Sequence, residues 1–476
     1  MADPHELTAL EQWQALQNGD ISPSELAGHY LARIEKFNPA LGAFVTVTAE
    51  TARVRARFVE ERMPRTAPLW GIPFADKDLQ SRAGVPAGFG SRLFANYVPE
   101  ESDDLVLALD DAGGVSLGKT NTPEFGLPSY TESLAAPPAR NPWNLDLGAG
   151  GSSGGAATAV AARLVPFAPG SDGGGSIRIP AAACGLVGLK PSRGRVPAAS
   201  GIDKLAGLSV GGPLARTVAD AALLLDAMIA PRDGRPDHHF ALRAPGDEAP
   251  LLAAAVRAEG RFQLGVMTTS AWDDDYSITI APEAQAALDL AVTGFAALHH
   301  GLEETALVPD PSFAPAFRTI WQAGAASIPA NTEAEIALLE PLTQWLLARG
   351  RALGARDLAE ALAALSAFER SFIHQLSKFD AVLTPAMALT PRPVGWYDAH
   401  DGEANFAQQV QYTPFTSMIN VSGLPAIVLP VHQTDDGLPM GVQLIGRPGG
   451  EATLLALGAQ LERRIRWQDR VPPEPA

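Results

Sequence analysis

Cysteine is almost missing from this chain: one residue, Cys184, in 476. A lone thiol cannot form an intramolecular disulfide, and with no His pair nearby in sequence it is not a zinc site, so a reducing cytoplasm is the expected setting. Positive charge is also short. Lys and Arg number 36 against 53 Asp and Glu, a net charge of -17. A phosphate backbone would be repelled by that balance, and no basic patch interrupts it, so nucleic acid is not an expected partner. Long apolar runs are lacking too: no stretch of about 18 apolar residues occurs. Residues Met1 to Glu11 are acidic and polar where a secretory signal needs a basic and then an apolar segment. Neither membrane spanning nor secretion is expected. The remainder is ordinary globular composition, 46% hydrophobic and 19% charged, which argues against disorder. No repeat with a period of 20 to 50 residues is apparent.

The first 60 residues read as helices joined by short turns. Ser22-Pro23-Ser24-Glu25 is a capping box with proline at the first helical position. Leu26, Tyr30, Ile34 and Phe37 follow at helical spacing, and Asn38-Pro39 is expected to stop the run. From Trp70 short apolar runs alternate with helical stretches, among them Asp103 to Ala112, Ala156 to Val165 and Ala215 to Ile229, which implies an α/β sheet. A polar break follows at Pro231 to Pro236, and residues 230 to 250 are expected to form a surface loop. Helices rich in Ala and Leu are expected around 282 to 298 and 333 to 369. Strand-like runs return at Ala381 to Thr384 and Ala426 to Val431. The organisation expected is one composite domain: a helical segment at 1–65, a core at 66–230, a variable helical region at 231–378 and a return to the core at 379–476.

Three short patterns carry candidate chemistry. Gly113 to Thr120 (GGVSLGKT) matches the phosphate-loop formula, with Gly118-Lys119-Thr120 as its end. A phosphate loop leaves a strand and enters a helix, whereas here a helix precedes the glycines and Val115-Ser116-Leu117 reads as the strand itself. A nucleotide-binding protein using that segment is the rival of a different class. Gly150-Gly151-Ser152-Ser153-Gly154 matches the nucleophile elbow G-x-S-x-G, which requires an acid and then a histidine downstream. His238, His239, His299 and His300 lie in polar or helical settings and His432 in a polar turn, all of them poor candidates for a catalytic base.

The third pattern needs no histidine. Lys77 follows the apolar run Gly71 to Ala75, and two glycine- and serine-rich segments follow it, Gly150 to Gly155 and Gly170 to Arg178. Glycines directly before Ser176 let successive backbone N–H groups converge on one point, as stabilising an oxyanion requires. Serine is a weak nucleophile without a base; a buried, neutral lysine can serve, and a second hydroxyl can bridge the two.

With those segments in this order, the chain resembles the amidase signature family, the Ser-cisSer-Lys hydrolases. The resemblance covers most of the chain. It runs through Gly71-Ile72-Pro73 to Lys77, Gly118 to Asn121 with Glu124-Phe125, Asn141 to Asn144, both serine segments, Pro180 to Ala182, Cys184 to Pro191, Gly194 to Pro197, and Gly423 to Ala426. Ser176 lies 24 residues after Ser152, as the family pattern requires. The resemblance implies a single α/β domain with a large mixed sheet covered by helices on both faces, and neither metal nor organic cofactor. It implies Ser176 as nucleophile, Ser152 after a cis peptide as proton relay, and Lys77 as base. It also implies an oxyanion hole from the N–H groups of Gly173, Gly174, Gly175 and Ser176, supported by Ser153, Asp172 and Arg178. Gly173 departs from the Thr or Ile usual there, and Ala135 to Pro138 lacks the usual glycine. The partner implied is a small-molecule amide, with homo-oligomerisation left open. A neutral, fairly apolar or aryl amide is expected, a carbamate or nylon-type oligomer being alternatives, with Trp321, Phe415 and Ile419 as pocket candidates. The runner-up is the glutaminase subunit of a tRNA-dependent amidotransferase.

Overall fold

The computed structural model describes residues 3–196, 205–230, 242 and 250–475. The polar break at Pro231 to Pro236 and nearly all of the 230–250 stretch lie outside the described residues, as does Pro197. The second helix, Pro23–Leu41, starts at the capping box: Ser22 Oγ accepts the Glu25 N–H, and the Glu25 carboxylate accepts the Ser22 N–H. Its end differs from expectation. The helix passes through Pro39 and stops at Gly42, which takes φ 62° and donates its N–H to Asn38 O. Proline in a last turn removes a single helical hydrogen bond, so the stop is set by the residue free to adopt a left-handed backbone.

Among the described residues, thirteen strands form three sheets. Phe44–Val47 (β1), Pro73–Lys77 (β2) and Val115–Thr120 (β3) make a small sheet in the order β1-β3-β2. Arg140–Asn141 (β4) and Asn144–Gly148 (β5) pair with each other. The large sheet contains Phe167–Asp172 (β6), Val187–Lys190 (β7), Val210–Ala215 (β8), Gln263–Val266 (β9), Gly301–Glu304 (β10), Ala381–Pro385 (β11), Ala426–Gln433 (β12) and Pro439–Gly446 (β13). Its order is β10-β9-β11-β13-β12-β7-β8-β6. β9 runs parallel to β10 and β11, and every other neighbouring pair is antiparallel.

The sheet is mixed and covered on both faces, which β12 makes visible. Ile427 and Leu429 point toward Gly458 of the helix Glu451–Ile465, while Val428, between them, points with Gly441 toward Ala182 of the helix Arg178–Cys184. Alternate residues of one strand thus meet helices on opposite sides, and Ala426 to Val431 are all buried. Three expectations change here. The segment 1–65 is not purely helical, because β1 lies within it and pairs with β3. The region 231–378 is not purely helical, because β9 and β10 form one edge of the sheet; each has four residues, too few for an alternation to register. The stretch 333–369 is divided into Glu333–Ile336, Pro341–Arg351 and Ala355–Leu376, with breaks at Pro341, in a first helical turn, and Gly354, at an N-cap.

The phosphate-loop match is resolved by the same topology. Val115 to Thr120 is a strand buried at every position. Lys119 Nζ donates to Gln80 O and stands 3.7 Å from Asp78 Oδ1, fully enclosed. A lysine committed in this way inside a strand does not face a phosphate.

Candidate active site

Strand β2 packs beside β6, and this brings Lys77, the last residue of β2, against Ser171 near the end of β6. Lys77 Nζ lies 3.0 Å from Ser171 Oγ and 2.8 Å from Ser152 Oγ. Ser152 follows a cis peptide bond after Gly151 and precedes the helix Gly154–Ala161. The segment Gly173 to Ile177 then links β6 to the helix Arg178–Cys184, with Ser176 at the turn. The two serine loops are joined directly: Ser153 N–H donates to Ser176 O at 3.1 Å, and Ser153 Oγ to Ser171 O at 3.3 Å. Gly175 is required where it stands. Its φ is 134°, and a Cβ would come 2.5 Å from Thr416 Oγ1 and 2.6 Å from Ile179.

Lys77 has no exposed surface. Burial lowers its pKa from 10.5 to about 7, against a smaller opposing pull from Asp172; removing water disfavours the ammonium more than one carboxylate restores it. A neutral amine can donate an N–H to Ser171 Oγ and keep its lone pair toward the Ser152 hydroxyl. That is the arrangement of a base with a hydroxyl as its partner.

Asp172 and Arg178 hold the floor of the site. Burial alone would raise the Asp172 pKa, but the Arg178 guanidinium overrides it and keeps the carboxylate well below its usual range, helped by Lys190 and Asn420. Arg178 Nε donates to Asp172 Oδ2 and Nη2 to Oδ1, both at 2.9 Å. Its other donors reach Gln443 Oε1 and Asn420 Oδ1 at 2.7 Å. Asn420 Nδ2 returns to Asp172 at 2.8 Å. The carboxylate also accepts the N–H groups of Gly175 at 2.7 Å and Ile177 at 3.1 Å. One expectation is corrected by this. The Gly175 N–H is committed to Asp172, so it anchors the loop and is not available to an oxyanion, whereas Thr416 Oγ1 donates to Gly174 O at 2.6 Å and fixes that residue from the other side.

A cavity opens from Ser176 and Gly174. Ile179, Trp272, Phe317, Trp321, Phe406 and Val410 supply most of its apolar lining. Phe317 and Trp321 stack with centroids 5.4 Å apart, and Trp272 meets Phe317 edge-on at 5.4 Å. Several polar groups at the lining are already paired. Gln409 accepts the Ser129 N–H at 2.8 Å and donates to Asn405 at 2.7 Å, and Ser417 Oγ accepts the Trp272 indole N–H at 2.9 Å. None of the lining side chains is charged. Of the expected pocket residues, only Trp321 lines the cavity. Phe415 and Ile419 are completely buried in the apolar core, and the helix at 355–376 packs on the segment that carries Ile419. Sequence reasoning missed Ser171, Thr416, Asn420 and Gln443. The signal for the last two is a lone amide inside an apolar run, Ile-Asn-Val and Val-Gln-Leu. Trp272, Phe317 and Phe406 carry no such mark.

Among the described residues, no three His, Cys, Asp or Glu side chains converge as a metal site would require, and no helix is long and apolar enough to cross a membrane.

Comparison with known proteins shows the family. A sequence profile described as Amidase matches residues 25–455. AmiB2 of Mycobacterium tuberculosis, a putative amidase by description, is 37% identical, over 99% of each chain. A glutamyl-tRNA(Gln) amidotransferase component from Roseiflexus sp. is 33% identical, also over 99% of each. Among solved structures, 6-aminohexanoate cyclic dimer hydrolase superposes with a TM-score of 0.88 at 31% identity, covering 99% of both chains. The chain therefore belongs to the amidase family and is a hydrolase of C–N amide bonds.

Proposed function

We propose that the chain acts by itself as a serine amidase on neutral, fairly apolar or aryl amides, with an aryl carbamate or a nylon-type oligomer within its range. Ser176 Oγ attacks the carbonyl carbon while its proton moves to Ser152, whose own proton passes to Lys77 Nζ. Lys77 then returns a proton through Ser152 to the leaving nitrogen, the C–N bond breaks, and the acyl group remains on Ser176 until water removes it by the same relay. The N–H groups of Gly173, Gly174 and Ser176 face the oxyanion. Asp172 and Arg178 hold the loop, and Ser153 joins the two serine segments.

One observation carries this reading: a lysine held near neutrality by burial, 2.8 Å from Ser152 Oγ, beside a cavity without charged lining. Free glutamine, carrying both an α-amino and an α-carboxylate group, needs charged partners that this lining does not supply. The test is a panel of p-nitroanilides, linear nylon oligomers, aryl carbamates and glutamine offered to the purified chain alone. Turnover of neutral amides without glutamine is expected; glutamine as the preferred substrate would replace this reading with the glutaminase one.

A further inference from the structure

The aromatic wall of the cavity is fastened from outside by polar residues that do not line it. Trp272, Phe317 and Phe406 come from three separate segments. Each segment carries, within one helical turn, a residue of a single polar cluster. Tyr276 donates its N–H to Trp272 O at 2.9 Å, so the two are one turn apart. Arg318 follows Phe317 on the helix Phe313–Ala326, and Glu403 precedes Phe406 by one turn on the helix Gly402–Tyr412.

Arg318 is the hub. Its Nη1 lies 2.6 Å from Glu403 Oε1, its Nη2 donates to Glu403 Oε2 at 2.6 Å, and Nη1 also donates to Tyr276 Oη at 2.9 Å. The guanidinium sits over the Phe406 ring, 5.1 Å from its centroid. A planar fork can satisfy all of these partners together, whereas a point charge cannot. The Arg318 side chain is 24% exposed and that of Glu403 47%. An ion pair so open to water adds little to global stability. Its geometric effect is not reduced in the same way, because it sets where two helices and a turn stand relative to each other.

We infer that Tyr276, Arg318 and Glu403 form a positioning clasp that fixes the width of the acyl pocket and thereby the size of substrate accepted. The inference rests on the reading of this cavity as the substrate pocket. None of the three residues touches the reacting atoms; they act through Trp272, Phe317 and Phe406. Arg318→Met and Glu403→Gln each leave the buried floor intact and release the wall.

The test has two arms, of which one needs no turnover. Wild type, Arg318→Met, Glu403→Gln and Arg318→Lys are assayed on p-nitrophenyl esters from acetyl to octanoyl. KM for the best wild-type chain length is expected to rise about fivefold in Arg318→Met and Glu403→Gln, with kcat within about twofold. The chain-length preference should flatten, and Arg318→Lys should recover part of it. Added salt should move wild-type KM toward the variant values and leave Arg318→Met unchanged. In the second arm, acrylamide quenching of tryptophan fluorescence should increase in both released variants at unchanged melting temperature, because Trp272 and Trp321 become more accessible. An unaltered chain-length profile, or unaltered quenching, overturns the clasp. Altered quenching in a chain that turns over no ester or amide in any form supports the clasp and overturns the hydrolytic reading of the cavity.

Discussion

The floor of the site, made of Lys77, Ser152 and residues 171 to 178, and its aromatic wall, made of Trp272, Phe317, Trp321 and Phe406, are held in place by different physics. In the floor, nearly every polar atom has a named partner: Asp172 alone accepts from Arg178, Asn420, Gly175 and Ile177. Such a network is buried and directional, so a missing member leaves a charge or a donor stranded. The wall is held by ring packing and by a half-exposed ion pair, both of which tolerate change in small steps. Substitutions in the floor should therefore act on kcat or on folding, and substitutions in the wall on KM. On the proposed reading, the chemistry of this chain is concentrated in the rigid region and its substrate range in the adaptable one.

The sharpest way to break that contrast is Ser176→Ala, expected to cost about 10³-fold or more in kcat at unchanged melting temperature. A fluorophosphonate adduct on the wild-type chain should map by mass spectrometry to the peptide containing Ser176; an adduct on Ser152 would restore the elbow reading. Lys77→Ala comes next, because an amine leaves only after protonation and an activated ester leaves without it. Anilide hydrolysis should fall about 10³-fold and hydrolysis of the matching p-nitrophenyl ester far less. The same residue sets a pH dependence. With its pKa lowered to about 7, Lys77 is neutral above that pH and protonated below it, so wild-type anilide kcat/KM should rise through neutrality and then level off. Retention of that acidic limb by Lys77→Ala would remove Lys77 from the mechanism.

Arg178→Met tests the floor through stability. It removes the guanidinium that pairs bidentately with the buried Asp172 carboxylate, and denaturant unfolding should show a loss of about 3–5 kcal/mol; a variant as stable as wild type would mean that the pair does not hold the loop. The smallest effect belongs to the wall. Trp321→Ala removes half of a stacked pair lining the cavity, and KM for an aryl amide is expected to rise about tenfold, equivalent to ~1.4 kcal/mol, with kcat little changed. A fall in kcat instead would show that wall and floor are mechanically one unit.

What the sequence determined by itself was mostly local. The capping box at Ser22, the glycines before Ser176 and the order of the two serine segments are properties of neighbouring residues, and local geometry needs no distant partner to be legible. The order of the floor segments could be read for that reason, but not the place of Ser171, which meets Lys77 only in the folded chain, nor the commitment of the Gly175 N–H to the Asp172 carboxylate. Tertiary structure decided the rest. Whether Lys77 is neutral depends on water excluded by elements far apart in the chain, and the phosphate-loop match at Gly113 to Thr120 failed because β3 is enclosed on every side. Asn420 and Gln443 reach Arg178 from 242 and 265 residues away. Phe415, Ile419 and Trp321 are alike as apolar side chains in the sequence, yet only Trp321 meets the cavity, because burial is settled by how helices from distant segments pack and not by the identity of the residue.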